Sequence, residues 1–139
     1  MNAGNVDDPV TNRLMLYHST DHGQTWSSKD ITPGRGRYQY AWLAVSADGS
    51  SLGVGVYYRP NLTSDWRVYG AIFNPGQKPA LGSLDETHPV APASRTAPPD
   101  DYMGSYFNPD GTLGVIWTRV WNRSRVTTLK RDIYYARSR

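Results

Sequence analysis

Residues able to act as acids, bases, nucleophiles or metal ligands are few in this chain and widely spaced. The three histidines, His18, His22 and His88, lack the spacing of a metal site, because zinc needs three or four ligands converging on one point. No metal or other cofactor is expected. Cysteine is absent, which removes thiolate zinc sites, a cysteine nucleophile and a disulfide framework. The single glutamate is Glu86, beside a predicted loop. It reads either as a helper base, which would need a nucleophile the local sequence does not identify, or as a surface acid. Gly34-Arg35-Gly36-Arg37 resembles a phosphate-cradling turn only faintly, since no helix start and no Lys-Ser/Thr pair follows. A connecting loop is expected there. Tyr38, Tyr40, Tyr57, Tyr58 and Trp121 offer flat faces that suit the apolar side of a pyranose, and they serve equally well as packing between sheets. Asn61-Leu62-Thr63 and Asn122-Arg123-Ser124 are sequons, relevant only in a eukaryotic secretory setting.

The charge is uneven. The net charge is +3, yet Arg119 to Arg139 carries seven basic residues against one acid, Asp132, while the remainder holds eight basic and eleven acidic residues. Such asymmetry fits either an acidic ligand or solvated arginines along strand edges. Aromatic residues at base-stacking spacing do not accompany the basic stretch, so nucleic acid is not expected as a partner. No apolar run approaches the roughly 18 residues of a membrane helix, so no membrane partner is expected either.

These side chains must be positioned by 139 residues, enough for one domain of ordinary size. Hydrophobic residues make up 38% and aromatic residues 12%, with ten Tyr, five Trp, thirteen Gly and ten Pro. Aromatics and turn formers together favour strands over helices. Short apolar or alternating runs bounded by turn residues predict strands near Arg13–Thr20, Thr25–Ile31, Tyr40–Ser46, Leu52–Arg59, Trp66–Phe73, Tyr102–Phe107, Leu113–Trp121 and Arg131–Ser138. A weaker strand is expected within Ala80–Glu86 and a connecting loop over Pro89–Pro99. Asp48-Gly49 and Asp110-Gly111 fall between paired runs and predict tight hairpins.

The segments repeat. Ser46-Ala47-Asp48-Gly49-Ser50-Ser51-Leu52-Gly53-Val54 matches Phe107-Asn108-Pro109-Asp110-Gly111-Thr112-Leu113-Gly114-Val115 with a one-residue gap. Leu16-Tyr17-His18-Ser19 matches Tyr135-Ala136-Arg137-Ser138 about two periods away. A repeat of this length, with three or four strands per unit, marks a propeller or solenoid whose units need neighbours on both sides.

One motif is sharp. Ser19-Thr20-Asp21-His22-Gly23-Gln24-Thr25-Trp26 follows Ser-x-Asp-x-Gly-x-Thr-Trp. Asp21 can accept backbone N–H groups within its own turn, Gly23 can supply a positive φ, Ser19 and Thr25 can cross-link the two arms, and Trp26 can pack against the turn. This octapeptide resembles the Asp box, or BNR repeat, of sialidase-like β-propellers. Asp101-Tyr102-Met103-Gly104, Asn108-Pro109-Asp110-Gly111, Val115-Ile116-Trp117 and Asp132-Ile133-Tyr134-Tyr135-Ala136-Arg137-Ser138 are similar to a blade of the secreted bacterial members. After Trp66–Phe73 the box is replaced by a plain turn, Asn74-Pro75-Gly76.

The resemblance implies an all-β fold, an arc of about two antiparallel blades in one segment over residues 1–139: the last strands of one blade at about 10–35, a second blade at 36–88, and three strands of a third at 100–139. Closed propellers use about four to eight blades. The arc is therefore expected to be a fragment of a longer propeller or a subunit that closes a ring, three copies giving six blades. In the family the box lies on the rim away from the active site, and sialidases grip the substrate carboxylate with three arginines beside a tyrosine nucleophile, its glutamate and an aspartate acid/base. The Arg-Ile-Pro motif of the first family arginine is missing here, and no catalytic residue can be transferred. Arg119, closing the Val-Ile-Trp run, reads as a funnel-lining ligand or a rim charge, and Tyr57, Trp121 and Glu86 complete the candidate ligand-binding set. The expected function is a non-catalytic recognition or scaffolding unit with a glycan or acidic ligand. The alternative is part of an exo-sialidase or related glycoside hydrolase completed by other blades or chains. A secreted or periplasmic location follows from the resemblance alone.

Overall fold

The computed structural model describes residues 2–3, 12–85, 89–90, 102–121 and 130–138. The described residues form ten strands and no helix. Three antiparallel sheets follow one another along the chain. The first comprises β1 (Asn2–Ala3), β2 (Arg13–His18) and β3 (Ser27–Asp30); the second β4 (Arg37–Val45), β5 (Leu52–Arg59), β6 (Arg67–Phe73) and β7 (Gly82–Ser83); the third β8 (Met103–Phe107), β9 (Leu113–Trp121) and β10 (Lys130–Arg137). Within each sheet every strand pairs with its neighbour in sequence.

The central strand of the middle sheet, β5, is covered on both faces, and its sequence explains how. Along β5 one set of alternating side chains, Leu52, Val54 and Val56, packs with Leu14, Ile31, Tyr38, Ala71 and Phe73 against the first sheet. The other set, Gly53, Gly55 and Tyr57, faces the third sheet, where Ala44, Trp66, Val68, Val90, Met103, Leu113, Val115 and Trp117 form a second core. The two glycines let the sheets approach closely. A Cβ on Gly55 would stand 2.5 Å from Ser105 Oγ and 3.0 Å from Val115 Cγ1, and one on Gly53 would run into Leu113 Cδ1. A strand buried on both faces reads as a continuous apolar run, and Leu-Gly-Val-Gly-Val-Tyr is one.

Differences from the expected elements are local and have physical causes. The fourth strand begins at Arg37 rather than Tyr40, because a β-bulge between Gln39 and Trp42, with Tyr40 at φ 52, breaks the alternation. The strand expected within Ala80–Glu86 shrinks to two residues paired with Tyr69 and Gly70. Of the loop over Pro89–Pro99 only Pro89 and Val90 are described; Val90 is buried and its N–H donates to Trp66 O at 2.7 Å.

Candidate functional site

The strands run between two ends of the molecule with opposite chemistry. At one end stand the turn at 19–26 and the hairpins at 46–51 and 108–112. In the first, Asp21 Oδ1 accepts from Ser19 Oγ and from the Thr25 N–H, both at 2.8 Å, and Oδ2 accepts from Thr25 Oγ1 at 2.5 Å. Ser19 Oγ in turn accepts the Gly23 N–H at 2.8 Å. Gly23 and His22 take φ of 86 and 58, and the Trp26 indole N–H donates to Gly23 O at 3.0 Å. The hydroxyl and amide of Thr25, then Ser19, stabilise the carboxylate and hold the Asp21 pKa down to about 2. The other hairpins repeat the device. Asp48 accepts from Ser46 Oγ at 2.6 Å, and Asp110 accepts the Thr112 N–H at 3.0 Å, over Gly49 and Gly111 at φ 72 and 81. All five residues predicted for the turn therefore meet in one clasp. Ser19 and Thr25 join the arms through Asp21 rather than to each other. Trp26 lies against the turn with its indole largely in solvent, just before β3 begins. His22 is exposed. With its acceptors occupied locally, the Asp21 carboxylate builds a corner rather than supplying an acid or base.

At the other end the second and third sheets enclose arginine and aromatic side chains. Arg37 and Arg59 are directly opposite in the β4–β5 register, with Gln39 and Tyr57 the next pair on that face. Arg37 is 3% and Arg59 2% exposed. The Arg59 guanidinium lies 4.7 Å over the Trp66 ring, and burial, then the charge of Arg37, pull its pKa below the ordinary value. From the third sheet, Arg119 lies 5.8 Å over the Tyr134 ring and donates to the Tyr134 hydroxyl at 3.2 Å. Tyr134 stacks on Trp117 at 6.0 Å. The Tyr57 hydroxyl donates to the Thr118 carbonyl at 3.2 Å, tying the sheets together one residue from Arg119. Gln39 Oε1 and Trp117 Nε1 are buried here with no hydrogen-bond partner among the described residues.

Two of the four candidate ligand-binding residues, Arg119 and Tyr57, are thus brought to one place. Tyr57 is not the open stacking face the sequence allowed: it is fully buried, and Tyr38 is 1% exposed in the other core. Both belong to sheet packing because their alternation points them between sheets. Tyr40 stays exposed and Tyr58 half-buried. Trp121 closes β9 with its backbone, but its side chain lies outside the described part, as does Glu86. Arg37, Arg59 and Trp66 were missed. Counting outward from the Asp48-Gly49 turn sets Pro60 opposite Arg37, and only the bulge brings Arg59 there.

The Gly34–Arg37 loop leads into β4, and Gly34 and Arg35 line an open cleft of 330 Å³ with Arg13, Asp30, Thr32 and Lys78. Gly36 takes φ 144 under the Tyr58 ring, and the Tyr38 hydroxyl donates to Gly34 O at 2.8 Å. Burial pushes the Tyr38 hydroxyl up to about 12. Among the described residues no three of His, Cys, Asp and Glu gather to hold a metal ion. An open cleft of 770 Å³, with none of Arg37, Arg59 and Arg119 in its lining, lies between β6–β7 and the end of β10, lined by Gly70, Ile72, Ser83, Leu84 and Arg137. Compared with known protein families, with characterised proteins and with solved structures, the chain matches none.

Proposed function

We propose that this chain is an arc of a sialidase-like β-propeller acting as a non-catalytic recognition or scaffolding unit. The observation that carries the reading is the stacking of three antiparallel sheets in chain order, with the Ser19–Trp26 clasp on the end opposite the arginines. Glycan or acidic-ligand recognition belongs at the arginine end. Support comes from three guanidinium groups on facing sheets, with the indole N–H of Trp117 and the amide oxygen of Gln39 pointing to a polar group there. Arg119, half-buried over Tyr134, is the guanidinium within reach of a ligand, and the buried Arg37 and Arg59 form the packed charge behind it.

A second reading, an exo-sialidase or related hydrolase completed by other blades or chains, is favoured by the same gathering of arginines beside Tyr57 and Tyr134. The two separate by experiment. The purified chain is offered a fluorogenic sialoside and a panel of neutral and acidic glycans. Binding of an acidic glycan without turnover, weakened at least tenfold by Arg119→Ala, is the expected result. Turnover, or binding indifferent to Arg119→Ala, would overturn the first reading.

A further inference from the structure

We infer that the outer face of the third sheet docks a second copy of this chain, which seats the outer face of its own first sheet there, head to tail. The inference rests on the arc reading and names its partner.

Alternation separates the faces of the third sheet. Met103, Leu113, Val115 and Trp117 point into the shared core, so Tyr106, Ile116, Ile133 and Tyr135 point away from it. All four are exposed, Ile133 by 78%. Two isoleucines and two tyrosines exposed on one sheet face are a candidate interface.

The molecule itself shows what such a face receives. The repeat equates Leu52-Gly53-Val54 with Leu113-Gly114-Val115. Gly53 faces the third sheet and takes the side chains of Leu113 and Phe107; its counterpart Gly114 faces outward. In the middle sheet this face is covered by another sheet of the same chain, so the occupant of the equivalent face is a sheet of the same kind. One residue differs. Tyr106 stands where the middle sheet has Ala44, and its ring folds over Gly114, near-parallel to Tyr135 at 6.3 Å. The Tyr106 ring therefore fills the counterpart of the recess that Gly53 leaves open in the middle sheet.

The first sheet presents the other open face of the stack. Leu14 and Leu16 point to the middle sheet, which leaves Met15 and Tyr17 on the outer face, bordered by the Arg13–Asp30 ion pair at 2.5 Å. Joining the two open faces repeats, between molecules, the step the chain takes twice within itself. Such a contact is heterologous, and it closes a ring or runs on as a filament.

The test is mass by light scattering during gel filtration, at up to about 100 µM, where an interface of standard size is populated. Wild type is expected to exceed the monomer mass. Ile133→Lys and Tyr17→Lys change exposed positions on opposite faces, and each is expected to run as a folded monomer with wild-type circular dichroism. Mixed in equal amounts, the two variants keep one good face each and form a discrete dimer. A monomeric wild type overturns the proposal, as does a Tyr17→Lys variant that still associates, since that is a same-face dimer. Failure of the arc reading is distinguishable: a monomer in which Gly55→Ala still destabilises the chain keeps its stacked sheets and loses only the interface, whereas a chain indifferent to Gly55→Ala has no stack.

Discussion

Gly55→Ala adds one methyl group where the second and third sheets meet. The new carbon would lie 2.5 Å from Ser105 Oγ, 3.0 Å from Val115 Cγ1 and 3.1 Å from Val115 Cγ2. The serine hydroxyl can rotate away. Val115 cannot, because it is buried and a β-branched side chain has little freedom at χ1. The sheets must therefore separate by a few tenths of an ångström. Overpacking of this kind costs about 1–3 kcal/mol, and replacing glycine within a strand returns about 0.5–1 kcal/mol. The net loss is about 1–2 kcal/mol, which for a domain of this size lowers Tm by roughly 3–8 °C. Gly104→Ala is the matched control, in a strand of the third sheet but with no atom within 4 Å of the added carbon. It is expected to be neutral or to stabilise by up to about 1 kcal/mol. Thermal and urea melts of both variants measure the difference. A Gly55→Ala protein as stable as Gly104→Ala would refute the close stacking of the two sheets, and with it the arc.

Three further outcomes follow from the turns and the arginine end. Asp21, Asp30 and Asp48 all have pKa values held at about 2, below the usual carboxylate value of 3.8, chiefly by hydroxyl and amide donors from Thr25, Thr32 and Ser46 with Ser50. Lowered carboxylate values stabilise the fold above the unfolded pKa, and that contribution is lost as pH falls from about 4 towards 2; Tm should drop across that window, and less steeply in Asp21→Asn. Gly36→Ala should cost about 1–3 kcal/mol, read from the urea midpoint, because φ 144 strains any side chain and the new carbon would stand 2.8 Å from the Arg59 carbonyl. Trp26→Ala removes one hydrogen bond to Gly23 O from an exposed ring, so its cost should stay near 1 kcal/mol; a loss of several would mean the indole is covered.

How far the sequence was legible depended on how local each signal was. The clasp was readable residue by residue, because Ser19, Asp21, Gly23, Thr25 and Trp26 satisfy one another within eight positions. The hairpins at Asp48-Gly49 and Asp110-Gly111 were readable for the same reason: each turn needs positive φ where glycine stands. The arginine end was not. Its members come from four strands, and the pairing of Arg37 with Arg59 rests on a bulge that no local pattern announces. Burial of Tyr38 and Tyr57 was equally hidden. Alternation says which residues share a face, but only the neighbouring sheets decide which face is covered.

The two ends divide the work along the strand direction. Turns at the clasp end are short and close their hydrogen bonds internally, so they fix hairpin register without help from other sheets. At the arginine end the turn at 60–66 also closes on itself, Asn61 Oδ1 accepting the Thr63 N–H at 2.9 Å and the Thr63 and Ser64 hydroxyls, and longer-range contacts join it. Tyr57 reaches across to the Thr118 carbonyl, Arg59 rests on Trp66, and Arg119 on Tyr134. Of these three contacts the Tyr57–Thr118 bond crosses between sheets, while the two arginine–aromatic contacts hold the β5–β6 and β9–β10 hairpins. A ligand bound between sheets would be read by residues from two repeats at once. The outward faces at Tyr17 and Ile133 are exposed, and they are where the proposed arc would place another sheet.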